Sequence, residues 1–250
     1  MRGESPGRHR LGSIEVSEKD GVRTLHFGSA LVQGAMRVAR PWSLELEYTR
    51  EMMLPLLVHA GRAWPRTVLQ VGLGAASFTR FLHRHFPKAR VTVVEISPAV
   101  VAAARLSFRL PPESRQLAIE VADAHEWLTR TDRRFDLALV DGFDDEGNAG
   151  MLESVPFYAN CRRSLADGGM LAANLLTRRR SVAPVARRLR EAFGERVQLL
   201  PPCSSGNTVA IAARDAAFPI DPEALRGAAL ALKARTGLDL TPTLDRLSLR

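Results

Sequence analysis

Four apolar runs each end on residues able to bind or react. VLQV ends on Gly72 and Gly74, VTVV on Glu95, LAIEVA on Asp123 and FDLALV on Asp141. Glycine has no Cβ, so backbone there turns sharply and comes close to a ligand, and a following helix offers free N–H groups. Val71-Gly72-Leu73-Gly74-Ala75-Ala76-Ser77 stops short of a dinucleotide fingerprint, because Ser77 stands where a third glycine belongs. A tight strand-to-helix turn is the plainer alternative. Glu95 lies 21 residues beyond Gly74, a spacing at which a carboxylate accepts both hydroxyl hydrogens of a ribose. An exposed strand-end glutamate is the competing reading. Asp123-Ala124-His125-Glu126 is spaced as a capping box, with Asp123 capping and Glu126 reaching back. Asp123 is equally suited to accept a hydrogen bond from an adenine amino group. Asp141 opens an acidic, glycine-bearing loop that runs to Asn148. That loop suits a mobile lid or a cationic small substrate, and its sign opposes that of the whole chain.

The elements that must position these residues alternate. From Thr67 onward, apolar strands are interleaved with helical patterns: SFTRFLHRHF, PAVVAAARLSF, AHEWLTR, a helix near Leu152–Leu165, and VAPVARRLREAF. Such interleaving predicts βαβ units and a parallel sheet covered on both faces. In an open sheet of that kind, ligands bind outside the carboxyl ends of the strands. Upstream, SIEVSEKDGVRTLHFGS alternates around Asp20-Gly21, a hairpin signal, and Leu44–Ala63 reads as one helix. The expected organisation is a disordered tail (1–12), a β-hairpin and linking helix (13–63), a Rossmann-like nucleoside-binding domain (64–215) and a C-terminal appendage (216–250). One amphipathic helix is expected in the appendage, near Pro222–Arg235.

Composition narrows the class. Hydrophobic residues make up 46% and charged residues 25% of 250, enough for a globular core and against wholesale disorder. No run approaches the ~18–20 apolar residues of a membrane span, and the N-terminal segment is not a secretory signal. A cytoplasmic protein with no membrane partner is expected. Cys161 and Cys203 are too few for a disulfide framework. His83, His85 and His125 lack metal-ligand spacing, so no metal is expected. Net charge is +8, but the cations are nearly all arginine, with lysine only at Lys19, Lys88 and Lys233. That skew fits codon bias, and Arg178–Arg180 with Arg187, Arg188 and Arg190 reads as a solvated helix face; nucleic acid is not expected as a partner. Ser204-Ser205-Gly206-Asn207 reads as a hairpin tip, and no G-x-S-x-G is present.

From Val68 to about Ala213 the chain resembles the spermidine synthase (polyamine aminopropyltransferase) family. The resemblance rests on VLQVGLG, VTVVEISPAVVAAAR, VADAHEWL, FDLALVDGFDD, FYANCRRSLADGGMLAANL and GNTVAIA, in that order. Upstream, LVQGAMRVARPWSLELEYTREMM resembles the family's segment between an N-terminal β-domain and the core. The resemblance implies a doubly wound, mostly parallel α/β sheet of the class I methyltransferase type. It implies decarboxylated AdoMet or AdoMet as the sulfonium cofactor and a small-molecule amine as substrate. It puts Glu95 with Ile96 on the ribose and Asp123 with Ala124 at the adenine, and makes Asp141 the acid that handles the attacking amine. Gln33 matches a position lining the cofactor pocket and Tyr48 one lining the amine pocket, while Asp144 would hold a distal ammonium. A homo-oligomer, a dimer, is expected.

Two departures bear on the reaction. The family's glycine loop carries an acid that helps hold the aminopropyl ammonium; here the loop reads Gly72-Leu73-Gly74-Ala75-Ala76. The family's Asp-Pro after the strand-end acid is Asp144-Asp145 here. Aminopropyl transfer is the leading expectation. AdoMet-dependent methyl transfer on the same fold and a non-catalytic nucleoside-binding or scaffold protein are the alternatives.

Overall fold

The computed structural model describes residues 13–29, 31–60, 63–176, 181–215, 218 and 220–249. The tail expected at 1–12 and the run Arg178–Arg180 lie outside the described residues.

Asp20 and Gly21 join β1 (Ile14–Lys19) to β2 (Val22–Phe27). Both take positive φ, 51° and 72°, as a two-residue primed turn demands. The hairpin is extended by β3 (Gly34–Arg37), antiparallel to β2, into a three-stranded sheet. The single helix expected over Leu44–Ala63 is instead two short ones, α1 (Glu47–Glu51) and α2 (Pro55–Val58). Pro55 has no N–H to continue a helix through it, but it suits a first helical turn, so the chain restarts there.

The main sheet then builds in the expected rhythm: β4 (Thr67–Val71), α3 (Ser77–His85), β5 (Arg90–Glu95), α4 (Pro98–Ser107), β6 (Leu117–Val121), α5 (Ala124–Arg130), β7 (Phe135–Val140), α6 (Val155–Ser164) and β8 (Leu165–Leu176). It closes with α7 (Ala183–Phe193), β9 (Val197–Leu199) and β10 (Asn207–Ala213). The strand order is β6-β5-β4-β7-β8-β10-β9. Strands β4 to β8 run parallel, and β10 is antiparallel to both its neighbours. The fold is therefore the expected doubly wound, mostly parallel α/β sheet. Successive residues point to opposite faces, and each face has its own apolar cluster. Val68, Val93, Leu139 and Ile211 pack on one side; Leu69, Val94, Val140 and Ala210 pack on the other.

Beyond residue 215 the described residues form two helices rather than one: α8 (Pro222–Thr236) and α9 (Thr241–Ser248). Gly237, at φ 76°, ends α8 in the left-handed conformation, and Pro242 sits in the first turn of α9. Ala229, Leu232, Leu240 and Leu244 are buried in the first apolar cluster, so this segment is part of the core. In α7, Arg187 and Arg190 are exposed as expected, whereas Arg188 donates from Nε to the Glu153 carbonyl at 2.6 Å. Among the described residues, no helix is long and apolar enough to cross a membrane.

Candidate active site

Register makes the site. Val71 pairs with both Val94 and Val140, and Val140 with Ala173. The residues one step further on, Gly72, Glu95, Asp141 and Asn174, therefore stand level along the sheet's carboxyl edge, with adjacent strands about 4.8 Å apart. Strand order reverses between β4 and β7, the switch point where open α/β sheets bind ligands. Gly72 and Asp141 flank that point, and the Asp141 N–H donates to the Val71 carbonyl at 3.0 Å.

The glycine loop is held from behind. Gly72 (φ 84°) and Gly74 (φ 50°) are both left-handed. Gln70 donates to the Gly72 carbonyl at 2.8 Å and accepts from the Thr79 hydroxyl at 2.8 Å. Arg80, buried in α3, donates to the carbonyls of Ala75, Pro41 and Phe108, which ties the loop to the N-terminal segment and to the end of α4. Ala75 itself is buried against Gly34 of β3, where a Cβ on Gly34 would lie 2.6 Å from the Ala75 Cβ. The three-stranded sheet thus closes directly on the glycine loop at Ala75.

All ten residues singled out in the sequence line one cavity: Gln33, Tyr48, Gly72, Gly74, Glu95, Ile96, Asp123, Ala124, Asp141 and Asp144. Glu95 is buried and accepts from the N–H groups of Leu73 at 2.7 Å and Ser97 at 2.9 Å. Burial pushes its carboxyl above the ordinary glutamate value, opposed by those backbone donors and that of Ile96. Asp123 caps α5 through one oxygen, accepting from His125 N–H at 2.7 Å and Glu126 N–H at 3.3 Å. The reciprocal half of the expected capping box is replaced: Glu126 pairs with Arg130 one turn on, at 3.1 Å.

Asp141 is the carboxylate at the centre of the cavity's hydrogen-bond network. Its Oδ1 accepts from the Asn174 amide at 2.8 Å and its Oδ2 from the Tyr48 hydroxyl at 3.1 Å. Burial lifts it from 3.8 to about 6, even against those two donors. Burial and the Asp141 carboxylate in turn push the Tyr48 phenol well above its ordinary value, so Tyr48 stays a donor. The donors are themselves oriented. The Ser205 hydroxyl donates to Asn207 at 2.7 Å, and Asn207 donates to the Asn174 Oδ1 at 2.9 Å. Asn174 and Asn207 were not read from the sequence. The available signal was Asn174 as the one polar side chain in MLAANLL.

Asp144 lies in the cavity wall, but its carboxylate turns back on its own loop. It accepts from the N–H groups of Glu146 (3.0 Å) and Asn148 (2.7 Å) and from the Asn148 amide (3.2 Å). Gln33 spans the cavity edge to the Asp144 carbonyl at 3.3 Å. An ionised carboxylate has about four acceptor positions, so Asp144 retains little capacity for an ammonium.

Behind Tyr48, the chain gathers Glu47, Glu51 and Cys203 with donor atoms all within 4.8 Å of one another, a grouping that sequence spacing does not reveal. Arg246 donates to both of those carboxylates and already supplies positive charge there.

A family model described as a methyltransferase domain matches residues 68–169. The polyamine aminopropyltransferase of Chromobacterium violaceum is 34% identical over 97% of this chain and 92% of its own length. A crystal structure of a probable spermidine synthase from Corynebacterium glutamicum superposes with a TM-score of 0.72 at 21% identity, covering 90% of this chain and 91% of that one. A spermidine synthase in complex with the transition-state analogue AdoDATO gives 0.58 at 21% identity, covering 84% and 76%. At those identities the two structures establish the shared fold.

Proposed function

Because this chain belongs to the polyamine aminopropyltransferase family, we propose that it transfers the aminopropyl group of decarboxylated AdoMet to a small amine, with Asp141 handling the amine. The observation that carries the reading is Asp141 itself: a carboxylate at the switch point, raised to about 6 by burial and aimed by Tyr48 and Asn174. The cavity around it suits a nucleoside. Glu95 offers its remaining lone pairs to a ribose, and Asp123, which lines the same cavity and caps α5 through one oxygen, keeps its other oxygen for an adenine amino group. Once bound, a sulfonium donor supplies an electrophilic carbon and departs as a neutral thioether.

The chain's own residues do the rest. An alkylamine of pKa ~10 is mostly protonated at pH 7, so the site must select and orient the neutral form. Asp141 accepts a hydrogen bond from the amine N–H, which points the nitrogen lone pair at the carbon. The C–N bond forms as the C–S pair leaves with sulfur, and the nitrogen's surplus proton passes to Asp141. Tyr48 and Asn174 hold the carboxylate in place during that exchange.

Two observations bear on the donor. Ala75 and Ala76 leave the glycine loop without an acid for the aminopropyl ammonium, which favours methyl transfer from AdoMet as the second reading. The cavity wall favours the first: it presents Glu95, Asp123, Asp141 and Asp144 and, among the described residues, no lysine, arginine or histidine. The α-carboxylate of AdoMet would meet like charge there without a side-chain cation. Parallel incubations with AdoMet and decarboxylated AdoMet, each with a diamine panel, decide it. The expected outcome is aminopropylated amine, detected by mass, from the decarboxylated donor. Methylated product from AdoMet alone would replace this reading with the second.

Glu95→Gln is expected to weaken binding of the nucleoside thioether product roughly 10–100-fold by calorimetry, the worth of a charge-assisted hydrogen bond. Unchanged affinity would remove Glu95 from the ribose site.

A further inference from the structure

Helix α9 is tied to α1, the helix that carries one of the Asp141 donors. Arg246 of α9 donates to Glu47 through Nη1 and to Glu51 through Nη2. These glutamates stand four residues apart on α1, on one face. The other oxygen of Glu47 accepts from the Ser204 N–H at 3.0 Å and the Ser204 hydroxyl at 2.7 Å. The other oxygen of Glu51 accepts from the Cys203 thiol at 3.0 Å. Glu51 is fully buried, a position where a carboxylate without a cation is costly. Burial works against ionised Glu47 too, but Ser204 and Arg246 outweigh it and hold its pKa below the ordinary value.

Both partners of this knot lead to Asp141. Helix α1 also carries Tyr48, which donates to the Asp141 Oδ2. The turn at Cys203 and Ser204 continues through Ser205 to Asn207, which orients Asn174 on the Asp141 Oδ1. We propose that Arg246 is a positioning residue for the transfer: by bridging Glu47 and Glu51 it locks α1 to the Cys203–Asn207 turn, so that Tyr48 and Asn174 meet Asp141 together. The inference rests on the role given to Asp141 above.

Several groups surround Asp141. Tyr48 approaches from α1 and Asn174 from β8, while Glu95 and Asp123 stand at the ends of β5 and β6, and Asp144 follows in the next loop. Behind Tyr48 lie Glu47, Arg50, Glu51, Cys203 and Arg246; the Cys203 thiol is pushed up to about 12 by burial and by Glu47. Loosening α1 takes a donor from ionised Asp141, and its titration must rise.

The test is a carbon-13 NMR titration of carboxyl carbons in the full chain, with Asp141 assigned by Asp141→Asn. It reads Asp141 directly and so stays informative whether or not aminopropyl transfer is the reaction. In Arg246→Gln the Asp141 midpoint is expected to rise by about one unit, the worth of one hydrogen bond to a charged group. Arg246→Lys keeps the charge but cannot bridge both glutamates, so an intermediate rise is expected. A native midpoint in Arg246→Lys would show that charge alone acts and would overturn positioning. An unmoved midpoint in folded Arg246→Gln would do the same. If Arg246→Gln does not fold, Glu47→Gln decides, since it keeps the Arg246–Glu51 pair while weakening both the Arg246–Glu47 arm of the bridge and the link to Ser204. A rise is expected, and a native midpoint refutes the proposal.

Discussion

Asp141→Asn is expected to lower kcat/KM about 10²–10⁴-fold, the span attributed to a positioned acid–base group, while leaving the protein at least as stable as the parent at pH 8. The two halves of that result have one origin. Burial lifts the Asp141 carboxyl from 3.8 to about 6, so the folded protein holds this proton more tightly than the unfolded chain does. Stability from this group is therefore full below about 3.8 and falls as pH rises through about 6. At pH 8 the native protein carries a buried charge that an asparagine does not. Thermal melts at pH 5 and pH 8 should show the Asn variant gaining on the parent at the higher pH. The parent's kcat/KM should rise with pH through about 6, as the ionised form that orients the amine becomes populated. An Asn variant that keeps full transfer, or a parent profile flat between pH 5 and 7, would remove Asp141 from the chemistry.

Strand-end residues were legible because an apolar run that stops at Gly, Glu or Asp marks both an element boundary and a change of chemistry. Parallel register then aligns those boundaries, which is why Gly72, Glu95 and Asp141 meet although they are spread over 70 residues of sequence. Contacts formed by side chains from distant elements left no such trace. Arg246 lies beyond the one helix expected in the appendage, and only the packing of α9 onto α1 brings it to Glu47 and Glu51. The Asn207–Asn174 link depends on antiparallel pairing of β10 with β8. No local pattern encodes that pairing. The contacts of Asp144 within its own loop have a local origin: the residues after it, Asp145-Glu146-Gly147-Asn148, favour an Asx-type turn that engages its carboxylate. The single helix drawn through Pro55 weighed apolar spacing above the missing N–H.

Gly72→Ala should be among the most damaging single-methyl additions in the chain. A Cβ there would sit 2.9 Å from the Asp141 carbonyl carbon and closer still to its oxygen. Both groups belong to backbone at the ends of paired central strands, so neither can rotate aside. The alanine must also adopt φ near 84°, which costs about 1–2 kcal/mol. Overpacking adds about 1–3 kcal/mol, and together they predict a fall in Tm of roughly 5–20 °C. Gly237→Ala separates the two contributions. Its φ is 76°, but a Cβ there meets nothing within 4 Å, so only the backbone cost applies and transfer activity should persist. Relief of the Gly72 clash instead pushes the Asp141 backbone away from β4, and the carboxylate leaves Tyr48 and Asn174. Purified Gly72→Ala protein should therefore lose activity even at temperatures well below its melt. Equal Tm losses for the two variants, with activity retained in both, would mean that β4 and β7 do not approach as closely as the switch-point geometry requires.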